Sequence, residues 1–566
     1  MRTRASLPVL AGALLALPGC LAPERSDLFG VDWPEATREA VRETAEDTRE
    51  AFEPVGFALE APGGVFGGAV AVEAPPADGT LRLTLGRSLL MALSSNRELA
   101  IASASPAIAA ALERQERGTF DPEAFAELRY SERSTTETSR ATGTRFSVDG
   151  NDLNAVAGLR QTLPTGTDVE LTVEQQRSSS DRAPEQQDAR VGVSVTQQLL
   201  AGAGGAVNLV RLRQAELEVV ASGHELRGFT EELLAGAERA WWLYRLAEQR
   251  LDLFERALAL AERQREAALQ RVNAGVLAPT AAAAAEAEAA LRRQDLIDAR
   301  SLAEARRLNL LRLLGGPLGD LAGPSGEAER DWLSRPLETL ATDAEAFAEA
   351  NPDPLPITDL EQRVELAGRL RPELLEARVR LDQNRLETVL TRNGLLPRLE
   401  VFLDLDKSGF DDTFQGSFED LDSESYNLNS GFRFVAPLGN DFAEGRNLRS
   451  GAERAEAAAA VANLEQLVRL EVRLAAVEVE RSRQQIAASR ATLDFQRAVA
   501  EAERQRFEAG DATSLDAALA SRDLLVAEVA VLTSRTEHRL ALIELHLAEG
   551  SLLERRGIGV VSPDGS

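Results

Sequence analysis

The sequence predicts a mixed α and β fold, in which long helical hairpins are joined to strands that form part of a barrel. Three observations predict it: an internal repeat, two long proline-free helical patterns, and stretches in which apolar and polar residues alternate. Arg271–Thr280 and Arg506–Leu515 resemble each other; each follows a helical pattern and each turns at a glycine, Gly275 or Gly510. A repeat of this size predicts two copies of a helical hairpin in one polypeptide.

The helical patterns are too long for a compact domain. Proline is absent from 206–272 and again from 442–508. About 65 residues at a rise of 1.5 Å give rods of roughly 100 Å. Two rows with 3-4-3 spacing predict the narrow seams of coiled-coil packing: Leu251, Phe254, Leu258 and Ala261, and Leu467, Leu470, Leu474 and Val477. A ring of such hairpins would form a hollow tube. A solid coiled-coil rod fits the helices almost as well, but it does not explain the strands.

Strand patterns precede both long hairpins. A helical pattern runs from Leu83 to Gly118, with Thr84 as its expected cap, and then the period changes from about 3.6 to 2. Six stretches alternate between an apolar and a polar face: Ala124–Tyr130, Leu153–Arg160, Val169–Glu174, Val191–Thr196, Leu399–Leu405 and Leu428–Phe434. Alternation of this length predicts strands with one apolar face.

Such strands suit either a soluble sandwich or a membrane barrel. The segments between them, 131–151, 176–190 and 406–425, are long and polar, and we expect them to be loops that face open water. Six strands are too few to close a membrane barrel, for which about eight is the minimum. An open sheet edge cannot lie in lipid, because its unpaired backbone groups would cost several kcal/mol each. The barrel interpretation therefore requires several copies of the chain.

The N-terminus has the features of an export signal. Arg2 and Arg4 precede an apolar core, Leu7–Leu17, which is too short for a permanent transmembrane helix. Its ending, Leu17–Cys20, resembles the lipobox of bacterial lipoproteins, in which cleavage leaves an acylated cysteine. We therefore expect a signal peptide over 1–19, a lipid on Cys20 and a tether over 20–80. The alternative is an ordinary signal peptide with a chance cysteine, since Cys20 is the only one in the chain.

Composition and motifs exclude several functions. A net charge of −28 argues against nucleic acid as a partner, because binding phosphates requires clustered Lys and Arg. Asp404–Gly409 opens like a calcium-binding loop, but Gln415 occupies the position of the required Glu, so we expect an acidic external loop. The three histidines are expected to be exposed on helices. We predict no catalytic residue, no metal site and no cofactor other than the N-terminal lipid.

Four local motifs identify a family. They are Gly510 followed by Leu515, Asp516, Ala520 and Arg522; Gln197–Leu200 before a glycine-rich run; Phe434–Gly439; and Arg371–Leu374. Together they resemble the outer-membrane efflux family of TolC-like proteins, and the chain is similar to a lipoprotein member of it. The resemblance covers about 81–316 and 362–550.

The resemblance implies a homotrimer in the outer membrane, whose long α-helical coiled-coil barrel joins a shared transmembrane β-barrel. It implies a first repeat over 81–316 with strands at about 120–200, and a second over 362–550 with strands at about 397–436. An insert, 317–361, would belong to an equatorial belt, and 551–566 would be a tail. The family usually contributes four strands per chain, so Leu153–Glu174 is an additional hairpin. It either enlarges the barrel or folds as an external loop.

The implied function is that of a passive exit duct for tripartite efflux or type I secretion, working with a periplasmic adaptor and an inner-membrane pump. The duct would be gated at the hairpin tips, where the adaptor would contact the turns at Gly275 and Gly510. Asp516 matches an acidic position that lines the family's constriction, and Asp511 beside the turn is a second gate candidate. The alternative for Asp516 is an ordinary carboxylate at a helix N-terminus. The alternative for the whole chain is a periplasmic coiled-coil adaptor lipoprotein without a pore. The cargo, whether drug, metal ion or protein, is not encoded in these motifs.

Overall fold

The computed structural model describes residues 80–138, 140–276, 278–315, 332–340 and 356–558. The expected signal peptide, Cys20, the tether up to residue 79 and most of the predicted insert lie outside the described residues. The chain divides into a large unit, Leu59–Leu552 with Val560–Ser566, and a small unit, Met1–Ala58 with Leu553–Gly559. In the small unit, residues 553–558 form a helical turn in which the Ile558 amide donates to the Leu553 carbonyl at 2.9 Å.

The first predicted helix is broken into three. Thr84 caps α1 (Leu85–Ser95) as predicted, because its hydroxyl accepts from the Arg87 amide. The helix then stops at Asn96, whose side chain caps α2 (Arg97–Ala102) by accepting from the Leu99 amide at 3.0 Å. The third piece is α3, Ala104–Arg117. One uninterrupted helix was the wrong prediction, because an asparagine offers the backbone a cap in place of the next helical turn.

The two long hairpins are present. In the first, α4 (Gly205–Asn208) leads into α5 (Val210–Asn273), and α6 (Pro279–Leu314) returns. The second repeat begins with α7 (Leu360–Leu370) and α8 (Pro372–Asn393). After its strands and the short α9 (Phe414–Glu419), α10 (Asp441–Ala509) runs out and α11 (Ser514–Glu549) returns, followed by α12 (Leu552–Arg555). With 64 and 69 residues, α5 and α10 are rods of roughly 100 Å, which confirms the predicted mixed fold class.

The long helices lie side by side in sets of four. Near the strands, α5 packs against α3 and α8, and α8 packs in turn against α10. Toward the tips, α5 packs against α6 and α11, and α11 packs against α10. The order is therefore α3–α5–α8–α10 at one level and α6–α5–α11–α10 at the other. Both α10 and the flank formed by α3 and α6 are left without a neighbour on one side within the described chain.

The predicted seam of α10 does not pack within the chain. Leu467, Leu470, Leu474 and Val477 are exposed, the last at 65 %. The row that packs against α7 and α11 is instead Val468, Val472, Ala476 and Val479. The predicted seam therefore stays a prediction, because α10 carries two apolar rows and only one of them has a neighbour within the described chain. The exposed row remains available to another molecule.

Six strands form one antiparallel sheet. They are β2 (Glu123–Thr138), β3 (Arg145–Leu163), β4 (Thr167–Ser180), β5 (Ala183–Gln198), β7 (Arg398–Asp411) and β8 (Tyr426–Val435), paired in that order. β2 leaves α3 and β8 leads into α10, so the two edge strands run in opposite directions. The additional hairpin thus lies inside the sheet as β3 and β4, rather than as an external loop.

The expected polar loops are mostly strand. β2 and β3 continue through most of 131–151, β4 and β5 through most of 176–190, and β7 through Asp411. Asp404–Gly409 is likewise part of a strand and not of a loop. The alternation signal disappears there because both faces are polar, while cross-strand contacts such as Ser134 with Ser147 at 3.2 Å keep the strands paired.

A small parallel pair sits on α5. β1 (Leu81–Leu83) pairs with β6 (Leu337–Thr339), which lies within the predicted insert. Trp241 and Tyr244 of α5 donate to the carbonyls of Leu83 and Leu337, at 3.3 and 2.6 Å. These two aromatic residues therefore hold the strand pair against the helix.

The histidines are not exposed as predicted. His224 and His546 are partly buried, and His538 is 5 % exposed between α10 and α11. The Ser482 hydroxyl lies 3.0 Å from His538 Nδ1. A polar residue on an apolar helix face is accommodated here because the opposite helix supplies its partner.

Candidate functional site

The two hairpin tips reverse the chain with the same backbone turn. Gly275 and Gly510 have φ of 74° and 88°, the left-handed region that favours glycine. Each glycine amide donates to the carbonyl three residues earlier, at 2.9 Å for Gly275 and 3.2 Å for Gly510. The next amide in each tip donates to the carbonyl of Arg271 or Arg506, five residues earlier, at 2.9 or 2.8 Å. This pairing is a Schellman motif, and it ends α5 and α10 in the same way.

The helices that follow begin differently. α6 has Pro279 at its first position, and its N-cap, Ala278, offers no side-chain acceptor. α11 begins with a capping box formed by Thr513 and Asp516. The Thr513 hydroxyl accepts from the Asp516 amide at 3.2 Å, and the Asp516 carboxylate accepts from the Thr513 amide at 3.0 Å and from its hydroxyl at 2.6 Å. Only the second tip therefore fixes its helix start with a charged side chain.

Both gate candidates lie on this second tip. The Thr513 hydroxyl, then the Thr513 amide and the charge of Arg506, hold the pKa of the exposed Asp516 carboxyl below its usual value. Asp511 is exposed, and its carbonyl is 3.4 Å from Arg506 Nη2. The sequence left two roles open for Asp516, a gate residue or a carboxylate at a helix N-terminus. The geometry shows that it caps the N-terminus of α11. One carboxylate oxygen makes both bonds to Thr513, so the group still presents negative charge to solvent.

A contact between the tips was not found by sequence reasoning. The Arg271 guanidinium lies 5.1 Å from the centroid of the Phe507 ring, which joins the end of α5 to the end of α10. A cation held over an aromatic face is attracted by about 0.5–1 kcal/mol at an exposed site. The repeat held a signal for it, since Phe507 replaces Val272 at the corresponding position of the first tip.

The tips also expose apolar side chains. Val276 is 77 % exposed beside the first turn, and Leu515 is 54 % exposed beside the second. Each follows its turn glycine within five residues. Each tip therefore exposes one large apolar side chain close to its turn glycine.

The sheet separates apolar from polar residues by face. One row across five strands, in register, is Leu159, Leu171, Val193, Leu405 and Leu428. The adjacent row, on the other face, is Arg160, Glu170, Ser194, Asp404 and Asn429. We call these the apolar face and the polar face. Apart from α9, which covers Gly409 and Ala189, the apolar face has no cover within the described chain, and Phe432 on it is 76 % exposed.

The upper limit of the apolar face drops across the sheet. With tyrosine counted as apolar, the last apolar residue on this face is Tyr130 on β2 and Tyr426 on β8. Through the intervening strands, Tyr426 lies level with Ala126, four residues before Tyr130. Four residues over the five steps of the sheet is about 0.8 residues per strand, or a tilt of roughly 30° if the apolar limit is level. This tilt is smaller than the about 35–45° of strands in closed barrels.

On the polar face, the same set of contacts, a Glu–Arg ion pair beside a Phe ring over a glycine, occurs in two hairpins. Glu123 pairs with Arg160 at 2.8 Å, and Phe125 covers Gly158 in the next register position. On β7 and β8, Glu400 pairs with Arg433 at 3.2 Å and Phe402 covers Gly431 in the same arrangement. A Cβ on either glycine would lie under 3 Å from the phenylalanine ring. The two outer hairpins thus pack aromatic rings over glycines, which fixes their register.

Within the described ranges, no group of three or more His, Cys, Asp or Glu side chains could hold a metal ion. None of the helices described here has an apolar stretch long enough to cross a membrane.

Known proteins resemble this chain in part of its sequence and in its fold. Residues 364–551 match the family model described as Outer membrane efflux protein. The fold is similar to the Campylobacter jejuni CmeC outer membrane channel, with 16 % identity, a TM-score of 0.61, and coverage of 83 % of this chain and 86 % of that one. For the Vibrio cholerae outer membrane protein VceC, the identity is 16 %, the TM-score 0.58, and the coverage 82 % and 96 %. For the open state of the Neisseria gonorrhoeae MtrE outer membrane channel, the corresponding values are 17 %, 0.56, 83 % and 90 %. No protein of curated function matches the sequence.

Proposed function

From the premise that this chain belongs to the outer membrane efflux protein family, as residues 364–551 indicate, we propose that it is an outer-membrane exit duct. The family is one of transport channels rather than of enzymes. In this proposal the duct is passive: an inner-membrane pump supplies the energy, and a periplasmic adaptor joins the two. The adaptor alternative is not supported by any contact in the structure.

The observation that carries the proposal is the uncovered sheet. Its apolar face suits lipid, and its polar face suits a water-filled interior. Its edges, β2 and β8, have no further strand beside them within the described chain. In lipid those edges must be paired, and because they run in opposite directions, β8 of one copy can pair with β2 of the next in the same antiparallel pattern.

The helices have matching free flanks. On α10, Val477 and Phe495 are 65 % and 74 % exposed; on the flank formed by α3 and α6, Ile108 and Ile297 are 69 % and 65 % exposed. Packing these flanks together would extend the row of four helices into a ring. Four helices at about 9 Å spacing occupy an arc of about 36 Å. Six strands at 4.8 Å spacing and about 40° tilt occupy roughly 38 Å. One copy therefore contributes similar arcs to both barrels.

We propose three copies, as the family resemblance implies. The shared barrel would then have 18 strands, because the sheet contributes six. Barrel diameter grows with strand number, and 16 to 18 strands leave an aqueous channel. The additional hairpin thus widens the outer-membrane barrel relative to four strands per chain.

The gate is proposed at the hairpin tips. Three copies would bring three Asp516 and three Asp511 carboxylates to the closed end of the tube, where they would favour cations. The exposed Val276 and Leu515 beside Gly275 and Gly510 would be the surface that meets the adaptor. The Arg271–Phe507 contact lies between the two tips, so opening that separates them would break it.

The N-terminus is proposed to be anchored in the outer membrane by a lipid on Cys20. The support is the Leu17–Cys20 motif and the absence of any other cysteine from the chain. Mass spectrometry of the mature N-terminal peptide tests it. An acylated cysteine is expected, and an unmodified N-terminus at another residue would contradict it.

Planar-bilayer conductance of the detergent-extracted oligomer tests the duct. Small, steady, cation-selective steps are expected from a tube closed at its tips. Asp516→Ala is expected to raise conductance or reduce cation selectivity, and Asp511→Ala reports the second gate candidate on the same tip. Unchanged steps in both variants would keep the duct and remove these residues from the gate. No conductance from an inserted oligomer that migrates as a heat-modifiable barrel would overturn the duct.

A further inference from the structure

One cation borders the apolar residues on this face of the sheet. Lys407 is the only lysine in the chain, and it lies on β7 two residues after Leu405, on the same face. It is therefore the first residue above the apolar limit on its strand. It is exposed, and within the described ranges its side chain has no hydrogen bond or ion pair.

The surroundings of Lys407 form a niche. Its register partners are Tyr426 on β8, which is 70 % exposed, and Val191 on β5. The next residue of β7 on this face is Gly409, and α9 lies directly over it: a Cβ on Gly409 would be 2.2 Å from the Ser417 carbonyl oxygen. α9 (Phe414–Glu419) therefore lies above Lys407, and we call it the shelf. Tyr426 lies beside Lys407, and the apolar face continues below it.

Contacts of the shelf fix it to the outside of the sheet. The Ser417 hydroxyl lies 3.4 Å from Gln175 Oε1 on β4, and Ala189 of β5 beneath it is fully buried. Phe414 on the shelf is 60 % exposed, and its ring centroid lies 5.1 Å from that of Phe418, with the two rings tilted by 53°. An aromatic pair, a tyrosine and a cation at the same level are the groups that proteins place at a membrane–water interface.

We propose that this niche binds the phosphate of a lipid headgroup in the outer leaflet, with Lys407 as the phosphate-contacting group. The inference rests on the proposed membrane barrel, which sets the apolar face in lipid. A comparison within the sheet supports it. Arg177, on the same face of β4, is already paired with Glu185 at 2.7 Å, whereas Lys407 is left without an anion beside the lipid boundary. An ammonium is a compact charge that binds phosphate without requiring a planar partner.

Native mass spectrometry of the oligomer, after exchange into micelles that contain lipid A, measures the lipid retained. Lys407→Gln is expected to lower the number of bound lipid A molecules by up to one per chain, whereas Lys407→Arg keeps them. Arg177→Gln is the matched control and is expected to change nothing. Equal retention by Lys407→Gln and wild type would overturn the inference. Because only oligomers with measured conductance are used, this failure is separate from failure of the duct.

The single lysine provides a second readout. An uncharged amine-reactive ester labels Lys407 alone among the side chains, and peptide mapping separates it from the N-terminal amine. Labelling is expected to be about fivefold slower in vesicles that contain lipid A than in phosphatidylcholine vesicles, the effect of one lysine at an anionic lipid surface. Gly409→Ala, which displaces the shelf, is expected to reduce this protection. If inorganic phosphate in detergent protects equally, the site binds soluble anions and the lipid assignment is wrong.

Discussion

The two hairpin tips share a turn and differ in the helix that follows it. Gly275 and Gly510 take the same left-handed conformation and the same hydrogen bonds. The returning helix starts at Pro279 without a side-chain cap in the first tip, and at a Thr513–Asp516 capping box in the second. Reversal of the chain therefore follows the same backbone geometry in both tips, whereas the start of the next helix carries a charged side chain in the second tip only. A trimer would thus carry its capping carboxylates on three of six tips.

Substitution of the turn glycines is expected to cause the largest loss of local stability, and the loss should be equal at the two tips. Gly275→Ala and Gly510→Ala should each cost about 1–2 kcal/mol locally, because a Cβ is disfavoured at these φ values. No neighbouring atom lies within 4 Å of either Cβ position, so backbone conformation alone sets the cost. Hydrogen exchange of the amides at 270–277 and 505–512 measures it. Gly445→Ala, in the interior of α10 with equally open surroundings, should instead slow exchange around it. Clearly unequal costs at the two tips would show that the turns are not equivalent.

Substitutions at the two helix N-caps are expected to change stability less than those at the turn glycines. One should destabilise the start of its helix and the other should stabilise it. Thr513→Ala removes the capping box and should weaken the start of α11 by about 1 kcal/mol. Ala278→Ser adds a cap that α6 lacks, at a residue whose extended conformation, φ −69° and ψ 145°, suits an N-cap. Amide exchange should therefore quicken at 515–517 in the first variant and slow at 280–282 in the second. Thr513→Ser keeps the acceptor and serves as the control. If Ala278→Ser has no effect, the proline start already fixes α6.

The fold could be predicted from the sequence wherever an element has one apolar face. Periodicity identified both long hairpins and all six strands of the large sheet, because a helix or a half-buried strand repeats its apolar residues at a fixed interval. It missed the strand extensions beyond Tyr130 and Leu405, because strands with two polar faces have no such interval. It also assigned Leu474 and Val477 to a seam that is exposed in one chain. Spacing describes a stripe on a helix, whereas its partner depends on how the helices are arranged.

Prediction of the site was limited in the same way. Gly275 and Gly510 could be identified because a turn with positive φ leaves few alternatives to glycine. The sequence identified Asp516 as a candidate but could not decide its role, because a capping carboxylate and a gating carboxylate would both lie at the third residue of the helix. The Arg271–Phe507 contact depends on the distance between two hairpins, which local sequence does not record.

That contact gives the next prediction, since it couples two tips that otherwise differ. Arg271→Gln or Phe507→Leu should cost about 0.5–1 kcal/mol, and exchange should quicken at both tips rather than at the mutated one. Arg506→Gln is the control at the equivalent position of the second tip, where the guanidinium is 2.7 Å from Glu503 instead of over a ring. The double variant Arg271→Gln/Phe507→Leu should cost no more than either single change. Additive costs would mean that the two side chains act independently.

The smallest predicted effect is a loss of stability around His538 on acidification. It is absent at neutral pH and is confined to the second hairpin. Burial, followed by the charge of Arg539, lowers the pKa of His538, and Arg483 adds to this while the Val479 carbonyl and Glu480 oppose it. A histidine whose folded-state pKa is depressed contributes stability that is present above its unfolded pKa of about 6.5 and is lost progressively as pH falls from that value through the lower folded-state pKa. Exchange in 479–486 should therefore quicken between pH 7.5 and 5.5, after correction for intrinsic rates. His538→Gln, which retains a polar group opposite Ser482, should remove most of this pH dependence. Residues 251–300 of the first hairpin contain no histidine and should not respond. A matching response there would place the pH sensitivity outside His538, and the two hairpins would differ in their tips alone.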